Sequence, residues 1–237
     1  ILLQANGSAT TINVADADSA KAVAEKINAL SYVSQVTATA QTYAHLFSTN
    51  GSSANYTVTI NGTSTSAFSI SSSNVTDAVS KINLISASTG VTALATTDNK
   101  VLLHDSTGGD ITIENAQSGS DLDVQAVQSD GVTPQGGSAI SLAAGAGSNN
   151  DSTRVIGTLR LSSDIPFNIT QSGNSSLGYT VSGTAELSDL NTVDLSTANT
   201  SAASITILSE ASKQISTIRG HLASIESRLD FAQSLAT

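Results

Sequence analysis

The sequence predicts an α+β protein with a β-rich body, built from hairpins and short helices, and a long C-terminal helix of coiled-coil type. Three observations predict this class. Apolar and polar residues alternate in short runs, which is typical of half-buried strands. A strand-helix-strand pattern occurs twice in the N-terminal half. The last thirty residues carry apolar side chains at alternating three- and four-residue spacing, which indicates a helix with one apolar seam.

The repeated unit is centred on the tripeptide Lys-Ile-Asn. This tripeptide occupies residues 26–28 and returns fifty-five residues later at residues 81–83. A Val-Thr-Ala segment follows in both copies, at residues 36–38 and 91–93, and predicts a closing strand. Strand-like segments precede the helix of each copy, at residues 11–14 in the first and at residues 56–60 and 67–70 in the second.

Turn and cap residues mark the limits of these elements. The dipeptide Asn61-Gly62 predicts a tight hairpin, because both central residues of such a turn need positive φ. Helix N-caps are expected at Asp18 or Ser19 in the first copy and at Asn74 or Thr76 in the second.

The rest of the body is predicted as strands with one polar linker. Strands are expected at residues 101–103, 111–113, 122–127, 155–161, 167–170 and 179–181. The linker is rich in Gly, Ser and Asn. We therefore expect a β-rich domain over residues 1–128, a linker over 129–153, strands over 154–190 and a long helix over 191–237.

The C-terminal helix carries the most informative pattern of the chain. The alternating spacing persists over about four heptads, which favours a partner helix over a sheet surface. Packing of this helix on its own β body is the alternative. Arg219 and Arg228 lie off the seam, either as partners for acidic groups on a neighbouring helix or as solvated charges. The seam consists of Leu208, Ala211, Ile215, Ile218, Leu222, Ile225, Leu229, Ala232 and Ala236.

The composition argues against several classes of function. A formal net charge of −10 with only nine Lys and Arg residues disfavours nucleic-acid binding. The absence of Cys removes disulfides and thiolate metal sites. No run of eighteen apolar residues occurs, so no membrane insertion is expected. The chain also lacks Met and begins in an apolar run, and we expect it to be a fragment trimmed at its N-terminus.

No catalytic, metal or cofactor site is predicted, and we expect the chain not to be an enzyme. A Gly-x-Ser-x-Gly nucleophile elbow is absent. The histidines lack the spacing of zinc ligands and are interpreted as isolated: His45, His104 and His221. Two acidic pairs lack a full calcium-loop pattern. Asp16 and Asp18 are interpreted as helix-capping residues, and Asp121 and Asp123 as the solvated face of a strand.

The segment Asp-Leu-Ser-Thr at residues 194–197 and the helix after it form a recognisable pattern. Arg219, Leu222, Arg228 and Leu229 have the spacing Arg-x-x-Leu followed by Arg-Leu. This pattern resembles the conserved C-terminal region of bacterial flagellins, in which an Asp-Ile-Ser-Thr segment precedes a helix with the motif Arg-x-x-Leu-Gly-Ala-x-Gln-Asn-Arg-Leu. Four positions depart from that motif: Ala223, Ser224, Glu226 and Ser227. The doubled Lys-Ile-Asn unit is similar to a short repeat of flagellins and hook-associated proteins.

The resemblance implies an extracellular structural subunit of the bacterial flagellum. It implies a homopolymer with other flagellin subunits, formed by helical packing, with variable β-domains exposed for motility. It also implies an export chaperone and a host innate immune receptor as partners, although the receptor-binding segment of the family would precede Ile1. The residues expected to make the helical contacts are Leu208, Ile215, Ile218, Leu222, Ile225, Leu229, Arg219 and Arg228.

Two alternatives to a filament subunit remain open. The chain is either a hook-associated or junction protein, or a cell-surface adhesin of flagellin type that binds glycans. Glycan sites stack sugar rings on exposed aromatic side chains, and this chain has only four Phe and four Tyr. The aromatic candidates for such a site are Tyr43, Tyr56 and Tyr179.

Overall fold

A computed structural model describes most of the chain. The described residues are 1–5, 7–49, 53–116, 120–143, 150–171, 183–185, 193–196 and 198–235. They form a mixed α+β fold with β-rich sheets and a long C-terminal helix, which confirms the predicted fold class at this level.

Five helices and sixteen strands are assigned within the described residues. The helices are α1 (Ala20–Ala29), α2 (Ser31–Ser34), α3 (Thr76–Leu84), α4 (Ser86–Thr89) and α5 (Ala198–Leu235). The first eight strands are β1 (Leu2–Ala5), β2 (Ser8–Thr11), β3 (Thr37–Phe47), β4 (Ala54–Tyr56), β5 (Val58–Ile60), β6 (Thr63–Ser64), β7 (Phe68–Ile70) and β8 (Thr92–Ala95). The others are β9 (Val101–Asp105), β10 (Ile111–Asn115), β11 (Leu122–Val127), β12 (Ile140–Leu142), β13 (Ser152–Val155), β14 (Thr158–Ser162), β15 (Phe167–Thr170) and β16 (Gly183–Ala185).

The two repeated units share a hairpin, two short helices and a closing strand in that order, and the second unit has the additional strand β7 between its hairpin and α3. In the first hairpin, β1 and β2 pair with Ala5 opposite Ser8. In the second, β5 and β6 pair with Ile60 opposite Thr63. These two residues lie at the positions of the repeat that Ala5 and Ser8 occupy in the first copy. The prediction of a strand over residues 11–14 in the first copy is therefore wrong, because β2 ends at Thr11. The short polar strand Ser-Ala-Thr-Thr hides this hairpin from a search for apolar alternation.

The asparagine of each Lys-Ile-Asn tripeptide joins a helix to the strand that follows. The Asn28 side-chain amide donates to the Ala38 carbonyl oxygen at 2.8 Å, and its oxygen accepts from the Ala38 backbone N–H at 2.8 Å. Asn83 makes the same two bonds to Ala93, at 2.9 and 2.8 Å. The recurrence of the tripeptide thus reflects one recurring contact.

Strand β3 holds the two units together. Its first half, from Thr37 to Gln41, pairs with β14. Its second half pairs with β9 on one side and β11 on the other. Each half therefore belongs to a different set of neighbouring strands, and one continuous strand crosses both units.

The body contains two hydrophobic cores. The first core packs α1 against β1, β15 and the beginning of β3, and its fully buried members include Leu3 and Ile27. The second packs α3 against strands of the second unit, and its fully buried members include Tyr56, Phe68 and Ile82. Burial of these side chains against strands distant in sequence supplies the main stabilisation of the body.

The strands after residue 129 return to both units. Residues 129–153 contain the short strand β12, which pairs with β11, although a loop or linker is expected there. The single strand expected over residues 155–161 is divided into β13, which pairs with β10, and β14, which pairs with β3. Gly157 lies at this break, where a Cβ atom would be 2.3 Å from Thr42 Oγ1. Strand β15 pairs with β1, and the strand expected at residues 179–181 lies outside the described residues.

Candidate functional site

The N-terminal part of helix α5 is bonded to the segment that precedes it. The Ser204 side chain is 1% exposed. Its hydroxyl donates to the Asp194 carbonyl oxygen at 2.9 Å and accepts from the Asp194 backbone N–H at 3.0 Å. The Asp194 carboxylate in turn accepts from the Ser196 backbone N–H at 2.8 Å, and this bond lowers the pKa of Asp194. These contacts fold the segment before the helix back onto the helix.

A cleft of about 200 Å³ lies where α5 meets β14, β15 and β16. Its floor includes the apolar side chains of Leu161 and Phe167, and its helix side includes Ile207 and the seam residue Ala211. The apolar seam of the helix therefore begins at the body and continues away from it. Polar residues at the cleft are Arg160, Ser162, Ser163, Asp164, Thr206, Glu210 and Gln214.

Beyond the cleft, the helix has no cover from the body. Every residue from 212 to 235 is exposed. The six large seam side chains are between 50% and 65% exposed: Leu208, Ile215, Ile218, Leu222, Ile225 and Leu229. A single exposed leucine is unremarkable, but a continuous apolar row is typical of an interaction surface. The sequence pattern is thus a physical surface in this structure, and the residues predicted to make helical contacts are accessible.

Charged residues flank the exposed seam. Arg219 and Arg228 are exposed, and neither forms an ion pair within the described part of the chain. Lys213 forms an ion pair with Glu210 one turn earlier, at 3.0 Å. The two arginines are therefore accessible to acidic groups of another helix.

Two of the three histidines are close together in the body. His45 and His104 lie on the same face of the paired strands β3 and β9. His45 Nε2 is 3.0 Å from the Gly131 carbonyl oxygen, and burial lowers the pKa of His45. The His104 ring stacks on Tyr43 with centroids 4.2 Å apart, and burial lowers its pKa as well. His221 is exposed on α5, far along the chain from both.

Asp18, which belongs to the first acidic pair, has a partner of opposite charge. Asp18 pairs with Lys26, and the hydrogen bond from Lys26 is the main cause of its lowered pKa. Ser19, rather than Asp18, is the N-cap of α1. Within the described stretches, no group of three or more His, Asp or Glu side chains is arranged to hold a metal ion.

Among the residues that the structure describes, no helix combines the length and apolarity needed to cross a membrane.

The glycan-binding alternative requires exposed aromatic rings, and the rings of Tyr43 and Tyr56 are partly or fully covered. Tyr56 is fully buried, and its hydroxyl donates to Ser48 Oγ at 3.0 Å. One face of Tyr43 is covered by His104. Tyr179 lies outside the described residues. The sequence interpretation missed two exposed aromatic side chains, Tyr32, which is 97% exposed, and Phe231 on α5, which is 67% exposed. For Tyr32, a signal was available in the repeat. The second copy has Ala87 at the equivalent position, and this difference was the available signal.

The chain was compared with known families and with curated proteins. No family model matches it, and no curated protein matches it either. The resemblance to flagellins therefore rests on the residues of the C-terminal helix and of the repeated unit.

Proposed function

We propose that the chain is a structural subunit of the bacterial flagellar filament that self-assembles through helix α5 and displays its β body to solvent. One observation carries this proposal. The seam residues that the sequence assigns to helical contacts are exposed along the whole segment from 212 to 235. This subunit would act outside the cell and through packing rather than through chemistry.

The energetics favour a partner for this helix. Burial of one leucine or isoleucine side chain contributes about 1.5–3 kcal/mol. Five large seam residues lie between 215 and 229, so a partner helix would gain several such contributions at once. The body already buries two cores without using these side chains. Self-assembly is the simplest use of a surface that the body does not need.

The flagellin-like residues have structural positions that suit this role. Asp194 belongs to the Asp-Leu-Ser-Thr segment and bonds to Ser204, so this segment is joined to the N-terminal part of the helix. Arg219 and Arg228 flank the seam on the accessible part of the helix. A hook-associated or junction protein of the same type would use the same surface. The glycan-binding alternative has less support, because Tyr56 is buried and Tyr43 is stacked on His104.

The proposal predicts that one charge on the seam abolishes association. Leu222→Asp places a carboxylate where a partner helix would pack, and we expect the concentration needed for half-assembly to rise by at least about tenfold. Ser227→Asp is the matched control on the opposite side of the helix and should assemble like the unchanged chain. Sedimentation velocity over a concentration series, with electron microscopy of the largest species, makes the measurement.

Two results would overturn the proposal. The first is a chain that stays monomeric at every concentration up to the millimolar range. The second is Leu222→Asp assembling as readily as Ser227→Asp, since the seam would then not be the contact surface. Circular dichroism of both variants checks that the helix content is equal, so that a loss of assembly reports the interface.

A further inference from the structure

The seam of α5 can be assigned to a seven-residue frame with Leu208 at the first core position a. Position a is then also occupied by Ile215, Leu222 and Leu229, and the second core position d by Ala211, Ile218, Ile225 and Ala232. Positions e and g, which flank the core in a coiled coil, carry the charges that select partner and orientation. Position e holds Arg219 and Glu226, and position g holds His221 and Arg228.

An antiparallel pair of two copies brings opposite charges together. In that orientation, position e faces position e, so Arg219 of each copy lies opposite Glu226 of the other. The twofold symmetry of the pair produces this contact twice. The other flank brings His221 opposite Arg228, and no ion pair forms there because neither residue is acidic.

The same register fills the core. Leu222 of one copy packs against Ile225 of the other at the centre, and Ile218 packs against Leu229 on either side. Further out, the small side chain of Ala232 lies opposite Ile215. Large and small residues thus face one another, as close packing of a core requires.

A parallel pair lacks both advantages. Position g then faces position e of the following heptad, which places Arg219 beside Gln214 and Arg228 beside Gln233. Glu226 meets only His221. In a parallel pair, Ala211 of one copy faces Ala211 of the other, and Ala232 faces Ala232. Each of these core layers then contains only two methyl groups and is poorly filled.

The central part of the seam is accessible to a second copy. Ala211 lines the cleft against the body, whereas residues 212–235 are exposed throughout. The body therefore leaves room for a partner helix at Leu222 and Ile225, where the antiparallel register has its centre.

We propose that helix α5 binds α5 of a second copy in antiparallel orientation, with Leu222 against Ile225 at the centre and Arg219 paired with Glu226 on one flank. This inference rests on the proposed self-assembly through α5 and specifies how the helices of two copies first meet. A twofold pair is closed, so a filament needs a second contact made elsewhere.

Charge reversal tests the ion pairs. Arg219→Glu and Glu226→Arg each place like charges together twice, and we expect each to weaken dimerisation by about tenfold. The double variant restores both pairs and should dimerise within about threefold of the unchanged chain. A double variant no better than the single variants overturns the inference, because Arg219 and Glu226 do not meet in the parallel pair.

Cysteine pairing tests the orientation, and the chain is suited to it because it has no Cys. Ile218→Cys and Leu229→Cys should form a disulfide with each other when mixed under mild oxidation, and neither should form one alone. Equivalent positions 218 and 218 are separated by about 16 Å along an antiparallel pair, which is too far for a disulfide. Efficient self-pairing of each variant alone indicates parallel helices and overturns the inference, as does the absence of cross-linking in the mixture.

The results separate this inference from the proposed function. Dimers with mixed disulfides and no larger species would support the antiparallel pair and contradict the filament. Large assemblies that Leu222→Asp abolishes, combined with self-pairing of single-cysteine variants, would support the filament subunit and contradict the antiparallel pair.

Discussion

The two asparagines of the repeat show how one side chain can define a unit. Ala93 lies on β8, at the outer edge of its sheet, and Ala38 lies on the part of β3 whose second edge has no partner strand in the described pairings. Asn28 and Asn83 bond to these edges through both atoms of the amide. The amide therefore substitutes for a neighbouring strand and covers an edge that would otherwise be available for pairing.

Removal of this amide should destabilise the second unit. Asn83→Ala leaves the Ala93 N–H and carbonyl without their partners, and we expect the free energy of unfolding to fall by about 1–2 kcal/mol. Urea denaturation followed by circular dichroism measures this loss. Asn13→Ala is the control, because Asn13 is exposed and should change stability by less than about 0.5 kcal/mol. Equal effects of the two variants would contradict the assigned role of Asn83.

Among the elements, α5 differs from the other helices in what stabilises it. Helices α1 and α3 are short, and each buries an apolar face that includes Ile27 or Ile82. Helix α5 extends over 38 residues, and its second half makes no contact that buries a side chain. Its stability as a free helix therefore depends on intrinsic propensity, which a glycine at position 220 lowers.

Two glycines give opposite predictions for the same substitution. Gly220→Ala meets no atom within 4 Å, and we expect it to raise the stability of α5 by up to about 1 kcal/mol. Gly108 has φ of +77°, and its added Cβ would lie 2.3 Å from the Ala40 Cβ, so Gly108→Ala should destabilise the body by about 1–3 kcal/mol.

The stability of the two glycine variants is measured by two different methods. Thermal loss of ellipticity at 222 nm follows α5, and calorimetry follows the cooperative unfolding of the body. A Gly220→Ala variant with lower helix content than the unchanged chain would show that this position is in contact with another part of the structure.

The complete chain consists of a body with two joined cores and a helix that leaves it. The cores share β3, and β15 closes the first core by pairing with β1. The helix meets the body at the cleft that includes Ala211, and Ser204 joins the helix to the segment that precedes it. This arrangement separates stability, which resides in the body, from the proposed assembly surface, which resides on the exposed helix.

Truncation should expose this separation. A chain that ends at residue 211 loses the exposed residues 212–235, of which Gln214 lies at the rim of the cleft, and we expect its unfolding midpoint in calorimetry to change by less than about 2 °C. A chain that ends at residue 203 also loses Ser204 and the helix side of the cleft, and its midpoint should fall by several degrees, about 2–4 °C for each kcal/mol lost. Equal losses in the two truncated chains would show that residues 212–235 do support the body.

Local patterns were enough to predict much of this protein. The Asn61-Gly62 turn, the Ser19 cap of α1 and the apolar seam of α5 are encoded within a few adjacent residues, because turn geometry and helical period act over that range. The cap expected for α3 at Asn74 or Thr76 is wrong, because Val75 occupies the N-cap position and makes no side-chain hydrogen bond there. The first hairpin was missed although Gly7 has φ of +75°, since the strand after it is polar.

Pairing between distant segments was decided only in three dimensions. Three features depend on contacts between residues more than sixty positions apart: the division of β3 between two cores, the pairing of β15 with β1 and the burial of Tyr56. Many similar strands compete for such contacts, and local patterns do not decide among them. The spacing of the seam could be identified in the sequence, but its exposure could not. Whether the body covers an apolar row depends on how far the helix extends beyond the cleft where it meets β14, β15 and β16, and this is set by packing in three dimensions.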